Sequence, residues 1–100
     1  MENKSFSFST FNDYAYYFIS DALNDVKNKR GKPVVVCIGS DLVLGDSLGP
    51  LTGTMLKRKN ADVYVYGVLN NPVTAKEIPN INERLKKTHP NSPILSIDAA

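Results

Sequence analysis

The sequence, 100 residues long, predicts an α/β fold built on a parallel sheet. Segments with helical period alternate with short β-branched apolar runs, in the order helix, strand, helix, strand, helix, strand. Each strand-to-strand link therefore holds a helix, the connection that parallel strands need. In the middle of the chain the period switches within a few residues. Pro33-Val34-Val35-Val36 reads as a buried strand, whereas Leu48, Leu51, Thr52, Met55 and Leu56 share one helical face. Between them lies a loop bracketed by Gly39 and Gly45, with acids at Asp41 and Asp46. In open α/β sheets, ligands and chemistry sit at such junctions, at the carboxyl ends of strands.

The first nine residues read as a flexible, loosely defined arm, polar apart from Phe6 and Phe8, and residues 10–100 as the α/β domain. Thr10-Phe11-Asn12-Asp13 resembles a capping box with Asp in place of Glu. Phe11, Ala15, Phe18, Ile19, Ala22 and Val26 follow at helical spacing, which predicts an amphipathic helix from Phe11 to Asn28. Lys27, Lys29 and Arg30 complement the helix dipole, and Gly31 with Pro33 ends it. The strand from Pro33 to Ile38 comes next, then the loop and a helix from about Ser47 to Lys59. Pro50 is tolerated only in a first turn, which places Asp46 at or beside the N-cap. Gly49 and Gly53 on that helix call for close approach to the sheet or to a ligand.

Val63, Val65 and Gly67 alternate with Tyr64, Tyr66 and Val68 in a second strand from about Asp62 to Leu69. Thr74-Ala75-Lys76-Glu77 has the form of a capping box. The regular helix is expected from Pro79 to Thr88, with Ile78, Ile81 and Leu85 inward. Ile94-Leu95-Ser96-Ile97-Asp98 is a third strand, and the strand at Val34–Ile38 is expected between the other two. Three strands are few for this architecture, so the chain reads as the N-terminal half of a larger domain. The third strand would then carry an open apolar edge, and self-association through it is expected.

Composition narrows the function classes. A net charge of +2 without a clustered basic face argues against nucleic acid as a partner. No apolar run reaches the ~20 residues of a membrane span, and the N-terminus lacks a signal-peptide pattern, so a cytoplasmic protein is expected. Cys37 ends an apolar strand and reads as a small buried hydrophobe, with no histidine near it in sequence to activate it.

Asp98 ends the third strand as Asp46 follows the first, so both acids belong to the carboxyl edge of the sheet. Two carboxylates in one crevice share a proton, and one serves as base while the other serves as acid. They can equally hold a divalent metal that activates water. Gly39, Ser40, Gly45 and Ser47 form the loop that would bind substrate or an oxyanion through its amides. His89 precedes the third strand and belongs to the opposite edge, as a surface residue before a turn proline.

The runs Val36-Cys37-Ile38-Gly39-Ser40-Asp41, Gly45-Asp46-Ser47-Leu48-Gly49-Pro50, Val65-Tyr66-Gly67 and Ser96-Ile97-Asp98-Ala99 resemble sporulation proteins of the YyaC type. That family is similar to the spore germination protease and, more distantly, to the hydrogenase maturation peptidases. The resemblance runs from about Gly31 to Ala100. It implies a three-layer α/β/α sandwich, phosphorylase/hydrolase-like, and an atypical aspartic peptidase site. The germination protease's catalytic acids fall on Asp46 and Asp98. In the hydrogenase peptidases the corresponding acids bind nickel with a later histidine, from a region this sequence does not contain. The implied role is peptide hydrolysis on protein substrates, spore proteins among them, in the forespore or mother cell of a spore-forming bacterium. Two other readings stand beside it. One is an inactive or regulatory sporulation protein. The other is a phosphate or nucleotide binder using the Gly39–Gly45 loop, although that loop lacks Gly-Lys-Ser/Thr and carries acids that repel phosphate.

Overall fold

A computed structural model describes residues 3–8, 13–40 and 48–99, with side chains described over 17–40 and 49–98. The elements are β1 (Asn3–Phe8), α1 (Asp13–Arg30), β2 (Val34–Ile38), α2 (Leu48–Arg58), β3 (Tyr64–Tyr66), α3 (Ile78–Thr88) and β4 (Ile94–Ala99). They form one four-stranded sheet in the order β1-β4-β2-β3, and every pair is parallel. The expected placement of Val34–Ile38 between the two later strands holds.

The N-terminal stretch corrects the reading of an arm. Asn3–Phe8 is a strand that pairs along the whole of β4, from Asn3 opposite Ile94 to Phe8 opposite Ala99. The edge of β4 therefore carries β1, and the open edge from which self-association was expected does not exist there. A row of backbone donors and acceptors on a buried strand is stabilised by any segment able to complete the ladder. The alternating Phe6 and Phe8 are the mark of such a segment.

The sheet separates two apolar layers, as strand alternation requires. On one face Val35, Cys37, Leu95 and Ile97 pack with Ile19, Leu23 and Val26 of α1 and Leu56 of α2. On the other, Val34, Val36, Ile38 and Ile94 pack with Ile81 and Leu85 of α3 and with Val73. The fold is thus a three-layer α/β/α sandwich, with α1 and α2 on one side and α3 on the other. All five residues of β2 are buried, as befits a central strand with helices on both faces.

Two helix faces differ from the periodicity. Phe18 is exposed on α1 while Leu23 is buried, so the core face turns toward Ile19, Leu23 and Val26. On α2 the inward positions are Gly49, Thr52, Gly53 and Leu56, and Leu51 lies at the surface. The glycines, which carry no hydrophobic signal, are the contact face. On the third helix the expectation holds: Ile81 and Leu85 are buried and Ile78 packs against them. The Thr74–Glu77 cap forms as Glu77 Oε1 accepts from both the Thr74 amide and hydroxyl. It closes a 3-10 turn, Ala75–Glu77, that leads into α3 with Pro79 in the first turn. Among the described residues no helix is long and apolar enough to cross a membrane.

Candidate functional site

The carboxyl edge of the sheet is built around the last residue of β2. Ile38 lies opposite Asp98 of β4 in the ladder, and Asp98 is in turn opposite Ser7 of β1. On its other side Ile38 bridges Val73, whose carbonyl accepts a hydrogen bond from the Gly39 amide at 2.9 Å. Alternation along β4 sends Leu95 and Ile97 into the α1–α2 layer and puts Ser96 and Asp98 on the face of α3. Asp98 is half-buried, and no described residue forms a hydrogen bond or ion pair with its carboxylate.

The start of α2 is seated against this edge. A Cβ at Gly49 would come within 2.2 Å of the Ile38 carbonyl oxygen, so only hydrogen fits there. One turn on, a Cβ at Gly53 would lie 2.1 Å from the Gly67 carbonyl oxygen and 3.3 Å from Cys37 Sγ. Gly67 itself takes φ +94°, and a Cβ there would meet the Cys37 carbonyl oxygen at 2.0 Å. Gly49, Gly53 and Gly67 together bring helix, central strand and the exit of β3 into backbone contact. Gly49 and Gly53 were legible as close-approach positions, and the partner is the sheet. Gly67 was read merely as a member of an alternating strand, although a glycine ending a β-branched run is a signal of close backbone approach.

Of the residues singled out from the sequence, the structure brings Gly39, Ser40 and Asp98 to one edge. Gly39 is buried and Ser40 half-buried, directly after the residue that faces Asp98. Gly45, Asp46 and Ser47, and with them Asp41, lie outside the described residues. Cys37 is buried, and desolvation pushes its thiol up to about 12, which suits a core residue and not a nucleophile. Among the described residues no group of three or more His, Cys, Asp or Glu side chains converges as a metal site.

His89 lies at the other end of β4, as expected, but it is half-buried and partnered. Its Nε2 is 2.8 Å from the Tyr66 hydroxyl, and its ring packs 4.2 Å from that of Tyr64. Lys32 covers the Tyr64 ring at 4.2 Å, and Lys32 and Lys27 both pair with Asp62. This cluster ties the amino-terminal edge of the sheet together, and the alternating Tyr64 and Tyr66 were its sequence signal.

A family model described as "Protein of unknown function (DUF1256)" matches residues 8–100. The "Uncharacterized protein YyaC" of Bacillus subtilis (strain 168) is 41% identical over 78 residues. That match covers 76% of this chain and 38% of the relative, so the chain spans well under half of that protein's length. No solved structure matches the chain.

Proposed function

The chain belongs to the DUF1256 family, and on that premise we propose that it carries the acid-bearing edge of a peptidase site of the atypical aspartic type. In this reading Asp46 and Asp98 hold a water between them. One carboxylate takes a proton as the water oxygen bonds to the peptide carbonyl carbon. The other, protonated, gives its proton to the leaving amine as the C–N bond breaks. Gly39 and Ser40 open the substrate loop; the Gly39 amide already donates to the Val73 carbonyl, so the first turn of α2 supplies the donors for the oxyanion. Gly45 and Ser47 belong to the same substrate loop.

The observation that carries the reading is Asp98. It is a half-buried carboxylate at the carboxyl end of β4, opposite the last residue of the central strand and without a described partner. A helix cap or a surface salt bridge would account for an aspartate elsewhere. Here neither is present among the described residues. Asp46 stands two positions before α2, whose first turn is seated on Ile38. The family resemblance adds protein substrates of a spore-forming cell. The same acids suit a divalent cation, but Asp98 alone of the described residues would contribute, and no step is assigned to a metal.

The test is digestion of casein and of spore extract by the full-length protein and by Asp46→Asn and Asp98→Asn. Loss of general acid–base catalysis is expected to slow cleavage by about 10² or more in each. Circular dichroism and melting should stay unchanged. Cleavage that survives both substitutions would refute the assignment. A folded wild type that cleaves neither substrate, with or without added divalent cations, would favour a regulatory role.

A further inference from the structure

The outer edge of β3 offers a second arrangement, apart from the acid-bearing carboxyl edge. Tyr64 donates its amide to the Pro33 carbonyl, so in this parallel ladder Tyr64 and Tyr66 bond to β2. Alternation then turns the amide and carbonyl of Val65 away from the sheet. A groove of about 320 Å³ runs along that edge. Val65, Tyr66 and Gly67 line it, together with Lys57 of α2 and Arg84 and Thr88 of α3, helices that pack on opposite faces of the sheet. A neighbouring hollow of about 220 Å³ shares Lys57 and adds Arg58.

The charges are lopsided. Among the described residues Lys57, Arg58 and Arg84 form no ion pair. The one acid lining the groove, Glu77, is engaged by both donors of Thr74. We propose that the outer edge of β3 docks an extended acidic segment of a partner polypeptide, which adds as a strand beside Val65. Consecutive residues of an added strand face opposite sides of the sheet. Two adjacent carboxylates would therefore meet Lys57 on the α2 side and Arg84 on the α3 side. A second copy of this chain fits less well, because its own β3 edge would bring the same cations against themselves. The inference stands independently of the hydrolytic reading.

The probe is a capped octapeptide with the core Val-Glu-Asp-Val, titrated into the isotope-labelled protein and followed by amide spectra and hydrogen exchange. The Val65 and Gly67 amides should shift, and Val65 should gain exchange protection. Lys57→Ala and Arg84→Ala should each weaken binding about fivefold, with melting unchanged. The double variant Lys57→Glu, Arg84→Glu should bind a Val-Lys-Lys-Val peptide better than the acidic one. The proposal is overturned by equal binding of both peptides to the wild type, or by equal binding of a peptide N-methylated along its core. Shifts reproduced by free glutamate at the same concentration would overturn it in favour of a small-anion pocket. Protection of Val65 that rises with protein concentration alone would overturn it in favour of self-pairing.

Discussion

Replacing Gly53 by alanine sets two physical effects against each other, and the structure decides which wins. In an exposed helix interior the substitution stabilises by about 1 kcal/mol, because alanine loses less backbone entropy. At Gly53 the added methyl carbon would sit 2.1 Å from the Gly67 carbonyl oxygen, about 1.3 Å short of ordinary contact at 3.4 Å. The obstacle is backbone, and Gly67 cannot retreat, since it already abuts the Cys37 carbonyl. The helix must lift instead, which opens a gap beneath the buried Thr52 and Leu56. Overpacking of this kind costs about 3 kcal/mol at the upper end, so a net loss of about 2 kcal/mol is expected. For a chain of this size that lowers the melting temperature by about 8–16 °C. Thermal unfolding and urea midpoints at constant m-value measure it. Gly31→Ala is the control. Its φ is +90° but nothing lies within 4 Å of the new carbon, so it should lose only about 1 kcal/mol of backbone strain. A Gly53→Ala protein that melts at or above wild type would refute the close-packed seat.

Other outcomes follow from single side chains. Burial raises the Cys37 thiol to about 12, whereas an unfolded cysteine titrates near ~8.5. The unfolded chain thus sheds a proton that the folded chain keeps, and stability falls as pH rises between about 9 and 12. Urea midpoints of wild type and Cys37→Ala should diverge in pH dependence across that window, and parallel curves would contradict the assignment. Asp62 is held below the usual carboxylate range by its hydrogen bond to Lys27 and by the charges of Lys27 and Lys32. Its contribution is present above the ordinary aspartate pKa and is lost as pH falls through the lowered value. Because Asp62 is exposed, a carboxyl NMR titration should show the lowering at low salt and its loss in 0.5 M salt (roughly a 4 Å Debye length) or in Lys27→Ala. Tyr66→Phe removes the hydroxyl 2.8 Å from His89 Nε2 and should cost about 1 kcal/mol in chemical denaturation. An unchanged midpoint would mean that ring packing alone holds His89.

What the sequence disclosed follows from where its signals are strong. Val34–Ile38 and Ile94–Ile97 are β-branched runs buried on both faces, and such runs have few alternative fates. The helix leading to Thr88 announced itself through its cap at Thr74 and the inward Ile81 and Leu85. β1 was obscured because Lys4, Ser5 and Ser7 dilute its apolar positions, and pairing came from a distant partner, β4. The face of α2 was misjudged for a related reason. Hydrophobic periodicity weighs side chains, and at Gly49 and Gly53 the contact is made by the lack of one. At the candidate site, Asp98 was legible as the polar end of an apolar strand. The basic groove beside β3 was not, because Lys57 and Arg84 lie 27 positions apart on helices from opposite layers.

The glycine seat also bears on the chemistry proposed for the carboxyl edge. Asp98 is fixed by its ladder with Ile38, and the first turn of α2 is fixed by Gly49 against the backbone of that same residue. The two are thus positioned relative to one another through a single peptide unit, with no flexible side chain intervening. A displacement of about 1 Å is enough to cost a reacting pair on the order of 10² in rate. A Cβ at Gly49 would fall 1.2 Å short of the ordinary 3.4 Å contact with the Ile38 oxygen, a shortfall of that size. Gly49 and Gly53 therefore serve different ends despite making the same kind of contact. Gly53 lies one turn into the helix, where a shift is felt as lost packing under Leu56. Gly49 lies in the first turn, seated on the residue that faces Asp98 in the ladder, where a shift would alter the separation that the proposed sharing of a water requires.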